Sequence, residues 1–166
     1  MAGWMTTTII GQLGGFWNND ATHSVVALQA LPDGNHSIAW GLNDLGQAVG
    51  ESNSLTSSSR AVMWQNDAAH SILDLGVLPG DTLSAAAAIN NAGQIIGTSS
   101  PSIFSGTTRA FFYQNGTMYD LATLVAPTDG FWTIDYVFAI NNAGQILAMG
   151  SSAGRRTSVL LTPIVQ

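Results

Sequence analysis

Arginine recurs in this chain at the start of one predicted strand, and aspartate recurs in the loops that precede another. Mixed charge of this kind, with an aromatic ring beside it, can bind a polar small molecule such as a sugar. Two neighbouring carboxylates could also act as general acid and base in a hydrolase or lyase. The alternative is that each arginine pairs with an aspartate and only holds the loops together. The candidate ligand-face residues are Arg60, Arg109, Arg156, Asp33, Asp81, Asp129, Asp135 and Trp132.

A second pattern, Asp-x-x-His, occurs at Asp20 with His23 and again at Asp67 with His70. Each pair could supply half of a metal site, but equivalent positions in neighbouring repeat units are usually too far apart to share one ion. We therefore interpret the pattern as a hydrogen-bonded turn, and we predict no metal and no cofactor. The sequence holds no motif for acyl transfer, zinc hydrolysis or phosphate binding. No catalytic residue is assigned, and an enzyme is the less favoured class.

Charge is scarce in this chain. Only 8% of the residues are charged, all four basic residues other than histidine are arginine, and the net charge is -6. A nucleic-acid-binding protein needs several cations to displace counterions from phosphate, and an anionic membrane surface attracts cations too. We therefore expect neither nucleic acid nor a membrane as partner. The chain has no cysteine, which excludes disulfides and thiolate chemistry.

A repeated phrase organises the chain. "INNAGQI" occurs at residues 89–95 and 140–146, and a looser copy, "LNDLGQA", occurs at residues 42–48. Residues 14–50 align without a gap on residues 61–97, at an offset of 47. A third copy carries a few extra residues in "APTDGFWTIDY", and a partial fourth begins at "RRTSVLLTP". Self-similarity at this period indicates a repeat architecture.

Each unit contains β-strand patterns, which we label A to D in chain order. Strand A reads "SIAWGLN", "AAAAIN" or "YVFAIN", and strand B reads "GQAVGES", "GQIIGTS" or "GQILAMG". Strand C reads "RAVMWQN", "RAFFYQN" or "RTSVLLT", and strand D reads "HSILDLG" or "TMYDLAT". The Asn/Asp and Gly residues between A and B predict a short hairpin corner, and Asn115-Gly116 predicts another between C and D. No segment of useful length combines apolar residues at a period of 3.6 with helix-capping residues, so we expect little helix.

Four-stranded antiparallel units that repeat at this spacing are typical of β-propeller blades. The "GLNDLGQAVG" type of corner, the aromatic strands at residues 60–64 and 109–113, and "DLGVLPG" at residues 74–80 together resemble the bacterial HAF-repeat family. The resemblance covers nearly the whole chain, although arginine stands where that family usually has histidine before the aromatic strand. It implies a tandem β-repeat architecture and export from the cell, and it implies no established activity.

The fold prediction is an all-β chain forming a single β-repeat domain over residues 1–166, like a half-propeller of about three blades. Its units span residues 37–80, 84–124 and 136–161, and N-terminal strands within residues 9–29 complete the last one. Unclosed end units would expose large apolar faces to water. We therefore expect a homodimer that completes a ring of six or seven blades. A threefold β-prism-like monomer and a fragment are the alternatives.

The expected function is that of a non-enzymatic repeat module that binds carbohydrate or protein through the face bearing the varied loops. One alternative is a hydrolase or lyase acting on a polar or sugar substrate, and another is a structural or assembly protein without a ligand site. The N-terminus lacks the basic segment and apolar run of a signal peptide, whereas the family resemblance implies an extracellular or periplasmic place. The sequence does not decide the compartment, and the cytoplasm is one of the alternatives.

Overall fold

The computed structural model describes residues 2–6, 12–17, 24–104, 106–125 and 133–164. Within these residues the chain forms fourteen β-strands and one 3-10 turn, and no helix there is long and apolar enough to cross a membrane. The elements are β1 (Ala2–Thr6), β2 (Gln12–Trp17), β3 (Val25–Ala27), β4 (Ser37–Leu42), β5 (Ala48–Ser54), β6 (Ser57–Trp64), β7 (Ile72–Gly76), β8 (Leu83–Ile89), β9 (Ile95–Ser100), β10 (Arg109–Gln114), β11 (Thr117–Asp120), the 3-10 turn (Leu121–Leu124), β12 (Thr133–Ile140), β13 (Ile146–Ser152) and β14 (Arg155–Leu161).

The strands form four antiparallel sheets that follow one another along the chain. Sheet 1 contains β1 to β3, sheet 2 contains β4 to β7, sheet 3 contains β8 to β11, and sheet 4 contains β12 to β14. Within every sheet the neighbouring strands are also consecutive in sequence. The prediction of an all-β chain built from tandem antiparallel units is confirmed, and sheets 2 and 3 each hold the four strands A to D.

The N-terminal strands differ from the expectation that residues 9–29 complete the last unit. Val25–Ala27 pairs with one side of Gln12–Trp17, and Ala2–Thr6 pairs with the other side of the same strand. These three strands occupy the B, C and D positions of a further unit, and closing a short hairpin loses less chain entropy than reaching a distant edge. The described residues therefore form four sheets rather than three, and sheets 1 and 4 contain three described strands each.

Consecutive sheets stack face to face. Strand β4 packs on β1 and β2, β8 packs on β4 to β6, and β12 packs on β8 to β10. We call the face turned toward the following sheet the front face and the opposite one the back face. Successive side chains on a strand point to opposite faces, so Val49 lies on the front of sheet 2 while its neighbour Ala48 lies on the back.

The core consists of the apolar layers between the sheets. Between sheets 2 and 3, the front residues Val49 and Met63 join a buried cluster with Ile95 and Phe111 from the back of sheet 3. Between sheets 3 and 4, a second cluster contains Ile96, Ala110, Leu121, Ile134, Val137, Ile146 and Ala148. Burial of these side chains is the main favourable term for stacking, at about 1.5–3 kcal/mol for each large side chain.

Serine hydroxyls at the start of strand A connect sheet 2 to sheet 1 and sheet 3 to sheet 2. Ser37 Oγ donates to the main-chain oxygen of Leu28 at 2.7 Å, and it accepts from the Gly14 amide at 3.2 Å. One unit later, Ser84 Oγ donates to the oxygen of Gly76 at 2.6 Å and accepts from an amide of β6 at 2.8 Å. In the third unit strand pairing places Ile134 at this position, and Asp135, one of the candidate site residues, lies in the irregularity that follows it.

Candidate functional site

Arg109 joins two aspartates at the end of sheet 3 where the D–A and B–C loops lie. Its guanidinium is 2.8 Å from Asp81 Oδ2 and 3.2 Å from Asp120 Oδ2. It also donates to the main-chain oxygen of Pro79 at 2.9 Å. The Asp81 side chain is 1% exposed and accepts a further hydrogen bond from Ser99 Oγ at 2.7 Å. The carboxylate of Asp81 is therefore enclosed by internal partners.

A similar but more exposed pair lies one unit earlier. Arg60 Nη2 is 3.2 Å from Asp74 Oδ2, and the two side chains are 26% and 39% exposed. In both units the arginine lies on strand C, at the start of β10 and within β6, and the aspartate lies on strand D. Asp74 and Asp120 were not selected from the sequence, although both occur in strand D before a leucine. The arrangement matches the interpretation in which arginine holds neighbouring strands and loops together.

Arg156 is held more loosely than the other two arginines. Its Nη2 is 4.0 Å from Asp135 Oδ2, and the Arg156 side chain is 67% exposed. Asp135 lies in an irregularity of β12 between Ile134 and Tyr136, and its ion pair stays within sheet 4. This partly solvated ion pair should contribute little to stability.

The register of the last strand C differs from the predicted alignment by one residue. Arg60 pairs with Ser52, six residues after the corner glycine of its unit. The residue six positions after the third corner glycine is Gly150, and it pairs with Thr157 rather than with Arg156. The alignment of "RTSVLLT" on the other C strands was therefore wrong by one residue. Arg156 still lies at the start of a C strand, but its side chain points to the opposite face from that of Arg60.

The remaining candidate residues do not assemble into a site. Asp33 is exposed in the turn before β4, with a φ of 63°. Asp129 and Trp132 lie outside the described residues. Asp81 and Asp135 pair with arginines of different sheets. No group of three or more His, Cys, Asp or Glu side chains that could hold a metal ion occurs within the described part of the chain.

The second Asp-x-x-His pattern forms the predicted turn between strands C and D. Asp67 Oδ1 accepts main-chain hydrogen bonds from Ala69 at 3.1 Å and from Ser71 at 2.9 Å. These hydrogen bonds, with Ser71 as the largest cause, hold the pKa of the Asp67 carboxyl below its ordinary value. His70 lies in the same turn, where its main-chain amide donates to the main-chain oxygen of Asp67. The first copy of the pattern, Asp20 and His23, lies outside the described residues.

The repeated corner is a side-chain-capped hairpin. In the second unit, Asn90 Oδ1 accepts from the amides of Ala92 and Gln94, both at 3.0 Å. Asn90 Nδ2 donates to Gln94 Oε1 at 2.7 Å, and Gly93 adopts a φ of 72°. The first and third corners repeat these bonds around Asn43 and Asn141. The prediction of turn chemistry for the repeated phrase is confirmed.

The corners also bind to one another, which the sequence analysis did not foresee. Asn43 Nδ2 donates to the main-chain oxygen of Asn90 at 3.1 Å, and Asn90 Nδ2 donates to that of Asn141 at 3.0 Å. The amide of Asp44 donates to Asn91 Oδ1 at 3.0 Å, and the amide of Asn91 makes the same bond to the next corner. The only sequence signal for this ladder is the recurrence of asparagine at one corner position in all three units.

An apolar surface covers the front face of sheet 4. Val49, Ile96 and Leu147 occupy the same position, three residues after each corner glycine, but Val49 and Ile96 are 0% exposed whereas Leu147 is 43% exposed. Leu160, paired with Leu147 across the sheet, is 63% exposed. Tyr136 and Phe138 of β12 are 43% and 50% exposed. These four residues, Tyr136, Phe138, Leu147 and Leu160, define what we call the terminal face.

Comparison with known proteins adds no relative to these observations: no family model, no curated protein and no solved structure matched the chain. The fold and the surfaces described above are therefore interpreted from this chain's own residues.

Proposed function

We propose that this protein is a non-enzymatic β-repeat module that works by assembling with a second copy of itself. The observation that carries the proposal is the terminal face. In sheets 2 and 3 the residues at the position of Leu147, Val49 and Ile96, are buried against the next sheet. The terminal face has the same apolar character, but no described sheet packs on it. Contiguous apolar surface of this kind marks an interaction site.

The occupant that best fits the terminal face is the N-terminal sheet of the second copy. The main stacking contacts among the described strands join the front of one sheet to the following sheet, and no described sheet packs on the back of sheet 1. A twofold dimer would place sheet 4 of each copy against sheet 1 of the other, so that both open ends are covered. Such a ring would hold eight sheets, the upper end of the usual range for propellers.

The charged residues at the loop end support a non-enzymatic role. A general acid or base must reach the substrate, but Asp81 is enclosed by Arg109 and Ser99. Asp74 and Asp120 are paired with arginines as well. The propeller-like closure and the likeness to HAF repeats remain predictions, and the front-to-back stacking of tandem sheets is consistent with both.

Light scattering on a size-exclusion column tests the assembly. The wild-type chain should have about twice its mass of 17.3 kDa, and Leu147→Glu should reduce it to a monomer that keeps the wild-type circular dichroism spectrum. The matched control is Leu55→Glu, because Leu55 is 79% exposed but lies in the turn between β5 and β6. A wild-type monomer over a wide concentration range, or a Leu147→Glu dimer, would overturn the proposal.

A single-cysteine variant distinguishes packing of the terminal face on sheet 1 of a second copy from packing of two terminal faces on each other. The chain has no cysteine, so Ser158→Cys places one thiol on the front of sheet 4. In the proposed dimer the two copies of this thiol lie on different interfaces and should not form a disulfide. Efficient disulfide formation under mild oxidation would instead show that two terminal faces pack on each other.

A further inference from the structure

A groove of about 570 Å³ lies beside β14, between sheets 3 and 4. One wall is formed by Phe112 of β10 with Leu121 and Leu124 of the 3-10 turn. The other wall is formed by Leu160 and Leu161 at the end of β14, followed by Thr162, Pro163 and Ile164. Adjacent strand residues point to opposite faces, so a groove that touches both Leu160 and Leu161 runs along the edge of the strand.

The equivalent space one unit earlier is filled by a strand. There, β11 forms the outer edge of sheet 3, and its Met118 packs on the cluster that contains Met63. Met63 is 8% exposed, whereas its counterpart Phe112 is only partly buried and faces the groove. Sheet 4 contains no fourth strand among the described residues. The groove therefore corresponds in position to a missing strand D.

The edge of β14 offers the matching main-chain groups. Among the described strands, β14 pairs only with β13, and the pairing covers all seven residues Arg155–Leu161. On the side that corresponds to β14, sheets 1 to 3 end in the short D strands β3, β7 and β11, of three, five and four residues. A long unpaired edge is a template for another strand, and a strand added there gains a hydrogen-bond ladder together with side-chain pockets.

We infer that the edge of β14 and this groove bind an extended segment of a partner polypeptide, which adds to sheet 4 as its fourth strand. This surface shares Leu160 with the terminal face, but its other residues lie outside that face, and the inference does not depend on self-assembly. The resident D strands show what the segment should look like. They read Ile72-Leu73-Asp74 in sheet 2 and Met118-Tyr119-Asp120 in sheet 3.

The expected pattern is two apolar residues followed by an acidic one. In sheet 2, the first of these residues pairs with Trp64 and the aspartate pairs with Val62 and binds Arg60. At β14 the same register places the apolar residues beside the apolar end of the strand, at Leu161 and Leu160. It places the acidic residue beside Val159 and directs it toward the other end of the strand, where Thr157 takes the position of Arg60 and Arg155 is exposed. The register of the resident D strands, with exposed Arg155 at that end, favours the antiparallel direction for the bound segment.

A labelled peptide of residues 70–76, HSILDLG, is a suitable probe, with binding followed by fluorescence anisotropy. We expect saturable binding to the wild-type protein and to Leu147→Glu, because Leu147 does not line the groove. Leu124→Glu should weaken binding about tenfold or more, since Leu124 is 52% exposed on the groove wall and is not one of the residues of the terminal face. The matched control is Leu55→Glu, which should bind as tightly as the wild type.

Peptide variants test the strand geometry without altering the protein. Methylation of the main-chain nitrogens on the hydrogen-bonding side should abolish binding, and methylation on the other side should leave it unchanged. Equal effects of the two, or no saturable binding to any form, would overturn the inference. Binding to monomeric Leu147→Glu but not to the wild-type dimer would show that a second copy fills the groove, which also contradicts a partner strand. Because Leu147→Glu is scored separately, failure here leaves the self-assembly proposal standing.

Discussion

Asn43 and Asn90 are 47 positions apart, yet the side-chain amide of Asn43 donates to the main-chain oxygen of Asn90 at 3.1 Å. The same bond joins Asn90 to Asn141, 51 positions further on. One residue type thus caps its own hairpin through Oδ1 and clamps the following sheet through Nδ2. This hydrogen bond can form only when the stacked sheets align the two corners, so it couples the local turn to the order of the sheets.

The ladder predicts that two equivalent asparagines differ in their contribution to stability. Asn90→Ala removes the turn bonds and the clamp to Asn141, and it leaves buried corner groups without a partner. Asn141→Ala removes the same turn bonds, but among the described residues the side-chain amide of Asn141 donates only to Gln145, so no clamp to a further sheet is lost. We expect Asn90→Ala to lower the free energy of unfolding by about 1–2 kcal/mol more than Asn141→Ala. Urea denaturation of both variants measures the difference, and equal losses would contradict an inter-sheet role.

The corner glycine gives a second prediction. Gly93 has a φ of 72°, and a Cβ added there would meet no atom within 4 Å. Any loss of stability on substitution is therefore conformational, and Gly93→Ala should cost about 1–2 kcal/mol. Gly93→Asn should cost less, because asparagine adopts the left-handed region more readily. Thermal melting compares the two variants; a greater loss for asparagine would mean that steric contact, and not φ, decides this position.

The corners and the C–D turn were predictable because their signals are local. Asn115 and Gly116 both have positive φ, 52° and 79°, as the Asn-Gly hairpin signal predicts. The all-β character was likewise predictable, since period-two alternation and repeated turns are properties of short windows. The pairing of arginine with aspartate was weighed as one interpretation of the charged residues, although Asp74 and Asp120 were not identified as partners.

The rest depends on contacts that local patterns do not encode. The register of β14 was misassigned because an arginine begins the other two predicted C strands, so Arg156 was aligned with Arg60 on residue type alone. Strand pairing places Thr157 there instead. The separate N-terminal sheet was missed because β1 has the position of strand B without the corner phrase that identifies strand B elsewhere. The inter-sheet ladder was missed because a turn asparagine and a clamping asparagine look identical in sequence.

Arg109 and Arg60 form a matched pair for testing the charged residues. Arg109→Met leaves the Asp81 carboxylate, which is 1% exposed, without its counter-charge. Losing one partner of a buried ion pair costs about 3–5 kcal/mol, and the 35% exposure of Arg109 places this site at the lower end. Arg60→Met breaks a pair that water screens and should cost less than about 1 kcal/mol. Chemical denaturation ranks the two variants, and a neutral Arg109→Met would restore Asp81 as a candidate for binding or catalysis.

The Asp67 turn predicts a pH dependence with a definite sign. Hydrogen bonds from Ser71 and Ala69 hold the pKa of the folded-state Asp67 carboxyl below its ordinary value. A carboxyl with a lowered folded-state pKa stabilises the protein above its unfolded-state pKa, and this contribution is lost as the pH falls through the folded-state pKa. Asp67→Asn keeps an oxygen acceptor but has no charge to lose. The wild type should therefore be more stable than Asp67→Asn near neutral pH, and the difference should shrink below about pH 4. Urea denaturation of both proteins across this range measures it, and a difference that grows in acid would contradict the assigned hydrogen bonds.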